Sequence, residues 1–354
     1  MSSNHNRVIH LVDSLSRINF GVWNAMSVNF QILGITKQEI WTFDNPEGYS
    51  DIVGIKVFLI SSRKEIKDVP DETVTISHGC WKSPTVLGER LKKGNKSWIA
   101  IPQGMLEPWS MQQKKWKKAI YFHLIEKKRL KKADALVAVS SVEKENLNKL
   151  FPNQKVVHIP NAIITQHYKK KAERPINFLF MARLHHKKGI LPLVKAWLQS
   201  SLFGNPNYHL TIAGPDHGEK IKIDRLIQHL DLSKANLNLM GAVYSGKKSD
   251  VLHRAHFYIL PSFSEGFPSS LLEAVTHGCV PIYTVGCNFP EGVEAEVGVL
   301  TGNSEIELIQ KLDELGKWTI AKIRQESLIA KEFVDEHYSS DLIGDKYEKL
   351  LNIK

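Results

Sequence analysis

Residues 260–274 of this 354-residue chain read Leu-Pro-Ser-Phe-Ser-Glu-Gly-Phe-Pro-Ser-Ser-Leu-Leu-Glu-Ala. The order is that of a buried strand ending at Leu260, a turn rich in Gly, Pro and Ser, and an amphipathic helix. The backbone N–H groups from Gly266 to Ser270 would lie at the helix N-terminus, where they favour an anion such as a diphosphate. The stretch therefore predicts an α/β sheet with an anion-binding site at its edge.

Two glutamates in this stretch are candidates for binding other parts of the same ligand. Glu265 stands at the strand end, where a carboxylate can accept hydrogen bonds from sugar hydroxyls. Glu273 lies two turns into the helix, where a carboxylate can bind a ribose diol. The competing interpretation makes Glu265 a loop charge and Glu273 a solvated helix residue, and spacing alone does not separate the two.

A second strand–loop–helix pattern covers residues 178–190, and its loop is basic. Arg183 and Lys188 follow the apolar strand, and a helix opens at Gly189. Negative charge grows on a departing phosphate, so two cations held at a strand end suit a diphosphate leaving group. The competing interpretation is a solvated basic turn, which the residues between the two cations, 185–187, fit well.

The pattern of short apolar runs alternating with helical segments extends along the whole chain and predicts parallel sheets covered by helices. One series of runs ends near residue 159 and another begins near residue 176. Between them, the polar stretch of residues 169–175 has the composition of a linker. The predicted fold class is α/β, with two Rossmann-like domains facing each other across a cleft and ligands at the carboxyl ends of the strands.

The spacing of the two glutamates matches the E-x7-E signature of retaining GT-B enzymes, and the surrounding S-E-G-F-P-x-x-x-L-E-A resembles family 4 of the glycosyltransferases. The basic loop is similar to the family's G-R-L-x-x-x-K-G, with Ala182 in place of the usual Gly. The resemblance implies that Glu265 contacts the transferred sugar and Glu273 the nucleotide ribose. It also implies that Arg183 and Lys188 stabilise the leaving diphosphate.

The resemblance extends to other loops and to the domain boundaries. It implies an N-terminal acceptor-side domain over 1–172, a nucleotide-sugar domain over 173–333 and a terminal helix over 334–354 that packs back on the first domain. In the glycine loop after the first strand, Phe20 replaces one of the two customary glycines. The implied donor-binding residues are Gly21, Gly214, Gly241, Gly266, Phe267, Pro268, Ser269 and Glu273.

Residues 102–109, Pro-Gln-Gly-Met-Leu-Glu-Pro-Trp, resemble the P-[HR]-G-M-L-x-P-W string of family members from polysaccharide assembly. Many relatives carry a His at the position of Gln103, where it reaches the donor sugar or the acceptor. A Gln can hydrogen-bond a sugar but cannot act as a base. His78, at the end of another strand, is a second candidate for the acceptor or sugar cleft, and its competing interpretation is a core or loop histidine.

Composition limits the other function classes. No run of about 18 apolar residues is present, and the polar N-terminus leads directly into a strand, so we expect neither a transmembrane helix nor a signal peptide. The three cysteines lack disulfide or zinc-ligand spacing, which favours a reducing cytoplasm. Family 4 implies no metal, no D-x-D carboxylate pair is visible, and we expect no cofactor besides the nucleotide-sugar substrate.

The net charge of +10 is concentrated between Lys114 and Lys132, where nine lysines and arginines face a single glutamate. Apolar residues recur there at helical spacing, among them Trp116, Ile120 and Leu124. One interpretation is a solvated helix; the other is an interfacial helix that docks on an anionic membrane. We expect no nucleic-acid partner, because no recognition fold or base-stacking aromatic pattern accompanies the charge.

The expected activity is retaining transfer of a hexose or N-acetylhexosamine from a UDP- or GDP-linked donor. The expected acceptor is a hydroxyl of a growing polyprenyl-linked bacterial saccharide, such as capsule, O-antigen or exopolysaccharide, on the inner face of the cell membrane. Two alternatives remain. A nucleotide-sugar epimerase shares the architecture, and a non-catalytic nucleotide-sugar-binding protein would keep the donor loops alone.

Overall fold

The computed structural model describes residues 7–16, 26, 28–29, 37–45, 51–52, 54–60, 69–112, 115–231, 235–243 and 245–351. The chain divides into two compact units. The first comprises Met1–Ala162 together with Tyr338–Lys354, and the second comprises Ile163–His337.

The division falls before the lysine-rich stretch that the composition marks as a linker. Lys171 Nζ donates to the backbone carbonyl of Ala255, and the carbonyl of Ala172 lies 2.8 Å from His256 Nε2. These hydrogen bonds bring most of the polar stretch into the second unit. Burial of Lys171 lowers the pKa of its ammonium group, as desolvation of a cation requires.

The first unit is built on an eight-stranded sheet. Its strands are β1 (Arg7–Val12), β2 (Gln38–Thr42), β3 (Asp51–Ile52), β4 (Ile55–Leu59), β5 (Thr73–His78), β6 (Ser97–Ile101), β7 (Ala135–Ala138) and β8 (Val156–His158). Their order is β3-β4-β2-β1-β5-β6-β7-β8, parallel throughout apart from the antiparallel β3–β4 pair. Its helices are α1 (Ser83–Leu91), α2 (Pro108–Gln112), α3 (Lys115–Tyr121), a π-helical turn (Phe122–Glu126), α4 (Lys127–Leu130) and α5 (Ser141–Leu150).

The second unit is built on a six-stranded parallel sheet. Its strands are β9 (Ile176–Met181), β10 (Tyr208–Ala213), β11 (Leu237–Gly241), β12 (Phe257–Leu260), β13 (Val280–Tyr283) and β14 (Val299–Leu300). Their order is β11-β10-β9-β12-β13-β14. Its helices are α6 (Ile190–Gln199), α7 (Lys220–Ile227), α8 (Ser245–Arg254), α9 (Ser269–Thr276), α10 (Pro290–Glu294), α11 (Glu305–Leu315) and α12 (Ile320–Tyr338), after which α13 (Ser340–Leu351) belongs to the first unit.

The central strands of the second sheet are apolar because helices cover both faces. All four side chains of β12 are buried. The Phe178 ring of β9 stacks on Phe257 of β12 at 4.7 Å between centroids, and Trp197 of α6 packs on Phe178 at 5.5 Å. These contacts fix β9 and β12 side by side.

The strand order reverses in each sheet beside its first strand. In the second unit β9 has β10 on one side and β12 on the other. The loops that follow β9 and β12 therefore lie beside a topological switch point. Ligands of open α/β sheets bind at such points. The predicted fold class of parallel α/β units is confirmed, and both basic and acidic candidate loops of the second unit begin at this point.

Candidate active site

The loops that follow β9 and β12 are joined by their backbones. The N–H of Phe263 donates to the carbonyl of Lys187 at 2.8 Å. Gly189 has a positive φ of 68°, and a Cβ at this position would lie 2.0 Å from the carbonyl oxygen of Pro261. Only glycine fits so close an approach in this conformation. Because residue 189 has no side chain, the neighbouring Lys188 can lie beside the loop that follows β12.

Lys188 and Glu265 form an ion pair across the switch point. Lys188 Nζ lies 2.6 Å from Oε1 and 2.7 Å from Oε2 of Glu265. The two side chains are only 15% and 10% exposed, so solvent weakens their attraction less than it weakens that of a surface pair. Two residues assigned by sequence to different parts of a donor, the phosphate and the sugar, therefore contact each other directly.

The carboxylate and backbone of Glu265 have further partners. The buried Ser262 hydroxyl donates to Oε1 at 2.6 Å. The Glu265 N–H donates to the carbonyl of Gly286 at 2.7 Å, and Asn288 Nδ2 donates to the Glu265 carbonyl at 2.6 Å. Sequence reasoning missed Ser262 and Asn288, although Ser262 lies within the quoted stretch and Gly286-Cys-Asn288 has the composition of a turn.

Arg183 leaves the same end of β9 but stands apart from this network. Its side chain is exposed, and within the described ranges it makes no ion pair or hydrogen bond. The guanidinium is therefore available to an anion without giving up a protein partner. Lys188, in contrast, must share itself between Glu265 and any phosphate that binds.

Glu273 of α9 is paired with Lys248 of α8, whose Nζ lies 2.6 Å from Glu273 Oε2. The pair is partly buried, so Glu273 is not the fully solvated helix residue of the competing interpretation. Nothing in the sequence pattern pointed to Lys248. A ribose that bound Glu273 would meet an ammonium group beside the carboxylate.

At the N-terminus of α9, the N–H group of Ser269 already has a hydrogen-bond acceptor in the protein. The N–H of Ser269 donates to the carbonyl of Phe267 at 3.0 Å, and Pro268 has no N–H. The predicted row of available N–H groups from Gly266 to Ser270 is therefore interrupted. Gly266, Phe267 and Ser269 are partly exposed and Pro268 is buried.

Two glycines of the predicted donor loops lie at the ends of β10 and β11. Gly214 has a φ of 150°, and its N–H donates to the carbonyl of Gly241 at 2.7 Å. A Cβ on Gly214 would lie 1.8 Å from the carbonyl oxygen of Ala182, so this position excludes a side chain. Gly241 has a positive φ of 70° with open space around it, and Gly21 lies outside the described residues.

In the first unit, His78 is a core residue. It is 2% exposed, and its Nε2 lies 3.3 Å from Nδ1 of His10 on the adjacent strand. Burial holds the pKa of His78 well below its usual range, and the neighbouring His10 lowers it further. Burial also lowers the pKa of His10 to about 4. The ring of His78 is therefore buried beside that of His10.

Gln103 occupies a turn held by a buried carboxylate. Its φ of 58° and the 72° of Gly104 are both positive. Glu143 of α5 accepts from the N–H of Gly104 at 2.6 Å and from that of Val139 at 2.8 Å. Burial raises the pKa of Glu143 to about 7, and the charge of Glu107 contributes in the same direction.

Family comparisons cover both units. Residues 64–167 match the family model described as Glycosyltransferase Family 4, and residues 164–318 match that of glycosyl transferases group 1. Together the two glycosyltransferase family models match residues 64–318. The junction of the two matches lies beside the observed division of the chain at residue 163.

The curated relatives of this chain are named for different materials. The gpi3 subunit of phosphatidylinositol N-acetylglucosaminyltransferase of Schizosaccharomyces pombe is 25% identical over 222 residues, 61% of this chain and 48% of the relative. The capsular polysaccharide biosynthesis glycosyltransferase CapH of Staphylococcus aureus is 28% identical over 184 residues, 50% of this chain and 49% of the relative. The chain thus spans about half the length of the curated relatives it matches.

Solved structures share the fold over nearly the whole chain. HepE of Anabaena, crystallised with UDP and glucose, superposes with a TM-score of 0.76 at 13% identity, covering 98% of this chain and 99% of HepE. WaaG, a glycosyltransferase involved in lipopolysaccharide biosynthesis, superposes with a TM-score of 0.72 at 13% identity, covering 97% and 99%. These likenesses establish the GT-B architecture.

The described part of the chain contains no group of three or more His, Cys, Asp or Glu side chains placed to hold a metal ion. The same part contains no helix long and apolar enough to cross a membrane.

The basic segment, residues 114–132, is helical through α3, the π-helical turn and α4. Its outer face carries exposed apolar side chains: Trp116 is 80% exposed, Ile120 59% and Leu124 61%. The exposed lysines 117 and 128 lie on α3 and α4, and the exposed Lys131 follows α4 directly. The exposed positions of the segment are therefore both apolar and basic.

Several cations of the basic segment are engaged by the protein. Arg129 pairs with Glu126 at 2.5 Å and with Glu89 at 3.1 Å, and Lys132 also pairs with Glu89. Lys127 Nζ lies 6.0 Å from the ring centroids of Phe122 and of Phe151. Lys114 and the side chain of Lys115 lie outside the described residues, so lysines 117, 128 and 131 are the best defined of the exposed cations.

Proposed function

We propose that the protein is a retaining, metal-independent glycosyltransferase. Its donor would be a UDP- or GDP-linked hexose or N-acetylhexosamine, and its acceptor a hydroxyl of a growing polyprenyl-linked bacterial surface saccharide. The observation that carries the proposal is the Lys188–Glu265 contact at the switch point. The contact joins a cation suited to a leaving phosphate to a carboxylate suited to a sugar hydroxyl. A site for phosphate alone would not need the carboxylate, and a glycosidase site would not need the cation.

In this proposal, the bond between the anomeric carbon and the diphosphate oxygen breaks while the acceptor oxygen attacks from the same face of the sugar. The acceptor proton passes to the departing phosphate oxygen, so no separate protein base is required. Arg183 and Lys188 would stabilise the charge that grows on the diphosphate. Glu265 would hold the transferred sugar and Glu273 the ribose. The buried position of His78 is compatible with a mechanism that uses no histidine base.

The sugars and nucleotides associated with two similar proteins decide which donors are tested first. HepE was crystallised with UDP and glucose, and the S. pombe relative transfers N-acetylglucosamine. We therefore expect a UDP-linked sugar to be the donor. The first experiment incubates the protein with UDP- and GDP-linked hexoses and N-acetylhexosamines and a bacterial lipid-linked saccharide fraction, and it measures nucleoside diphosphate release and product anomeric configuration.

The same assay separates the alternatives. An epimerase would release the nucleotide and form an epimerised sugar without any acceptor. A non-catalytic binding protein would bind a nucleotide sugar and release nothing. Transfer that requires the acceptor, retains the anomeric configuration and survives EDTA supports the proposal; an inverted product or loss of activity with EDTA contradicts its finer terms.

We further propose that the basic segment places the enzyme on the inner face of the cell membrane as a peripheral protein. The exposed Trp116, Ile120 and Leu124 would enter the headgroup region, and the exposed lysines would face anionic lipid headgroups. This arrangement would bring the first unit to the surface in which a polyprenyl-linked acceptor is anchored. The charge and the apolar row point to the same partner, because an anionic bilayer satisfies both.

Vesicle sedimentation tests this placement. Replacing the exposed lysines 117, 128 and 131 with Gln removes about 1 kcal/mol each near such a surface, so binding to anionic vesicles should weaken on the order of 100-fold. The matched control changes Lys144, Lys149 and Lys155, three exposed lysines of the same unit outside the segment. Equal binding by both triple variants, or no binding of wild-type protein at low salt, contradicts the membrane proposal.

A further inference from the structure

The Glu265 carboxylate has to keep its orientation while one of its partners is drawn elsewhere. Lys188 Nζ bridges both carboxylate oxygens when the site is empty. In the proposed function, on which this inference rests, a bound diphosphate attracts the same ammonium group. As Lys188 moves towards the phosphate, the Glu265 carboxylate loses a hydrogen-bond donor.

Ser262 supplies the contact that does not depend on Lys188. Its side chain is fully buried, and its hydroxyl donates to Glu265 Oε1 at 2.6 Å. The Ser262 carbonyl in turn accepts from Thr284 Oγ1 at 2.5 Å, which ties this serine to the loop after β13. The hydroxyl is buried and its backbone is tied to the next loop, so neither depends on the position of Lys188.

The backbone of Glu265 is clamped by the turn of residues 284–288. Gly286 accepts the Glu265 N–H at 2.7 Å, and Asn288 Nδ2 donates to the Glu265 carbonyl at 2.6 Å. Asn288 has a positive φ of 54°. A Cβ on Gly286 would lie 2.5 Å from the Ser262 carbonyl oxygen, so the turn fits against the β12 loop only with glycine there.

We propose that Ser262 and Asn288 are positioning residues that hold Glu265 in place for the transferred sugar. Ser262 fixes the carboxylate, and Asn288 fixes the peptide that carries it. With Ser262 and Lys188 both on Oε1 and only Lys188 on Oε2, Oε2 retains the acceptor capacity that a sugar hydroxyl needs. Neither residue needs to touch the ligand.

The test uses Ser262→Ala and Asn288→Gly, since glycine keeps the left-handed backbone while removing the amide. The Ser262 hydrogen bond is to a charged group and corresponds to roughly 10- to 100-fold in rate, whereas the Asn288 hydrogen bond is between neutral groups and corresponds to roughly 2- to 10-fold. We expect nucleotide release from the donor found in the panel to slow by these factors in the respective variants. Affinity for the nucleoside diphosphate, measured by calorimetry, should stay within about twofold, because Glu265 is assigned to the sugar.

Two matched controls remove similar groups elsewhere in the same unit. Ser200 is a buried serine whose hydroxyl donates to the Trp197 carbonyl at 2.9 Å. Asn236 has a φ of 42°, and its amide donates to the carbonyls of Leu202, Asn205 and Tyr208. Ser200→Ala and Asn236→Gly should lower thermal stability but leave the turnover of folded protein unchanged.

A double variant distinguishes positioning from a general structural role. If Ser262 acts through Glu265, Ser262→Ala/Glu265→Ala should turn over at the rate of Glu265→Ala alone. Losses that multiply, or a Ser262→Ala protein as fast as wild type, overturn the proposal. If wild-type protein releases nucleotide from no donor, the proposed function fails instead. The contact is then decided by a double-mutant cycle on unfolding with Ser262→Ala and Glu265→Ala, in which absence of coupling overturns the positioning proposal.

Discussion

Removing Lys188 should damage stability as well as catalysis, and the structure gives the size of both effects. Lys188→Ala leaves the Glu265 carboxylate, only 10% exposed, with the Ser262 hydroxyl as its remaining side-chain partner. Breaking a buried pair by removing one member typically costs 3–5 kcal/mol. Because both side chains retain some exposure and Ser262 remains, we expect about 3 kcal/mol, which for a unit of this size lowers Tm by roughly 10 °C.

A double variant separates the destabilising effect of the unpaired Glu265 charge from the effect of losing the Lys188 side chain. Lys188→Ala/Glu265→Gln removes the carboxylate charge together with the ammonium, so its free energy of unfolding should recover most of the loss. Turnover should not recover, since Lys188 is assigned to the leaving diphosphate and its absence costs on the order of 100-fold in kcat. Denaturant unfolding monitored by fluorescence and the nucleotide-release assay measure the two quantities on the same samples.

The reasoning is refuted by two results. A Lys188→Ala protein as stable as wild type would mean that solvent screens the pair fully. A double variant that loses the sum of the single losses would mean that the two side chains do not interact in solution, whatever their distance.

Other predictions follow from the same contacts. Arg183→Ala should lower kcat on the order of 100-fold with little change in unfolding free energy, because its exposed side chain has no partner among the described residues; full activity would remove it from the mechanism. Glu273→Ala should weaken nucleoside diphosphate binding in calorimetry while Glu265→Ala should not, and equal losses would contradict the division of roles. Because the folded pKa of His10 lies below that of the unfolded chain, the unfolded state binds the extra proton, and stability falls as pH drops from 6.5 towards 4. Between pH 7.5 and 5 the stability of wild type relative to His10→Gln should fall by about 2 kcal/mol, and a parallel pair of curves would show that His10 does not titrate as described.

The pH prediction is stated as a difference because Glu143 acts in the opposite sense. Its folded pKa of about 7 lies above the usual carboxyl value, so the folded state retains the proton and stability falls as pH rises towards 7. The two contributions offset each other in wild type between about pH 4.5 and 6.5. Comparison with His10→Gln cancels Glu143, which is common to both proteins, and reports His10 together with the part of the His78 pKa shift that His10 causes.

Much of the fold could be predicted from the sequence because local pattern determines it. The apolar runs ending at Met181 and Leu260 are strands with both faces covered, and the turns after them contain the glycines and prolines that end strands. The sequence indicated less well which strands lie next to each other in the sheet. Chain order would place β12 beside β11, whereas the sheet places it beside β9, and this adjacency alone brings Lys188 to Glu265 across 77 residues of sequence.

The residues that sequence reasoning missed share a physical reason. Asn288 and Lys248 act through single hydrogen bonds to residues distant in sequence, and such bonds leave no periodicity. His78 shows the converse. Its place at a strand end is the place of a ligand-binding residue, but pairing with His10 in the interior depends on side-chain direction across two strands. Composition likewise counted nine cations in the basic segment without distinguishing those already engaged by Glu89 and Glu126.

The two units carry groups of different chemistry, and this makes the tests independent. The cations and carboxylates assigned to the donor all lie in the second unit, whereas the Gln103 turn and the basic segment lie in the first. Variants of the exposed lysines of the basic segment should therefore change vesicle binding and transfer to a lipid-linked acceptor while leaving nucleotide affinity intact. Variants of Glu273 should lower nucleotide affinity and leave vesicle binding intact. A lysine variant that lost nucleotide affinity would show that nucleotide binding depends on charges of the first unit, and the assignment of the nucleotide-binding charges to the second unit alone would have to be abandoned.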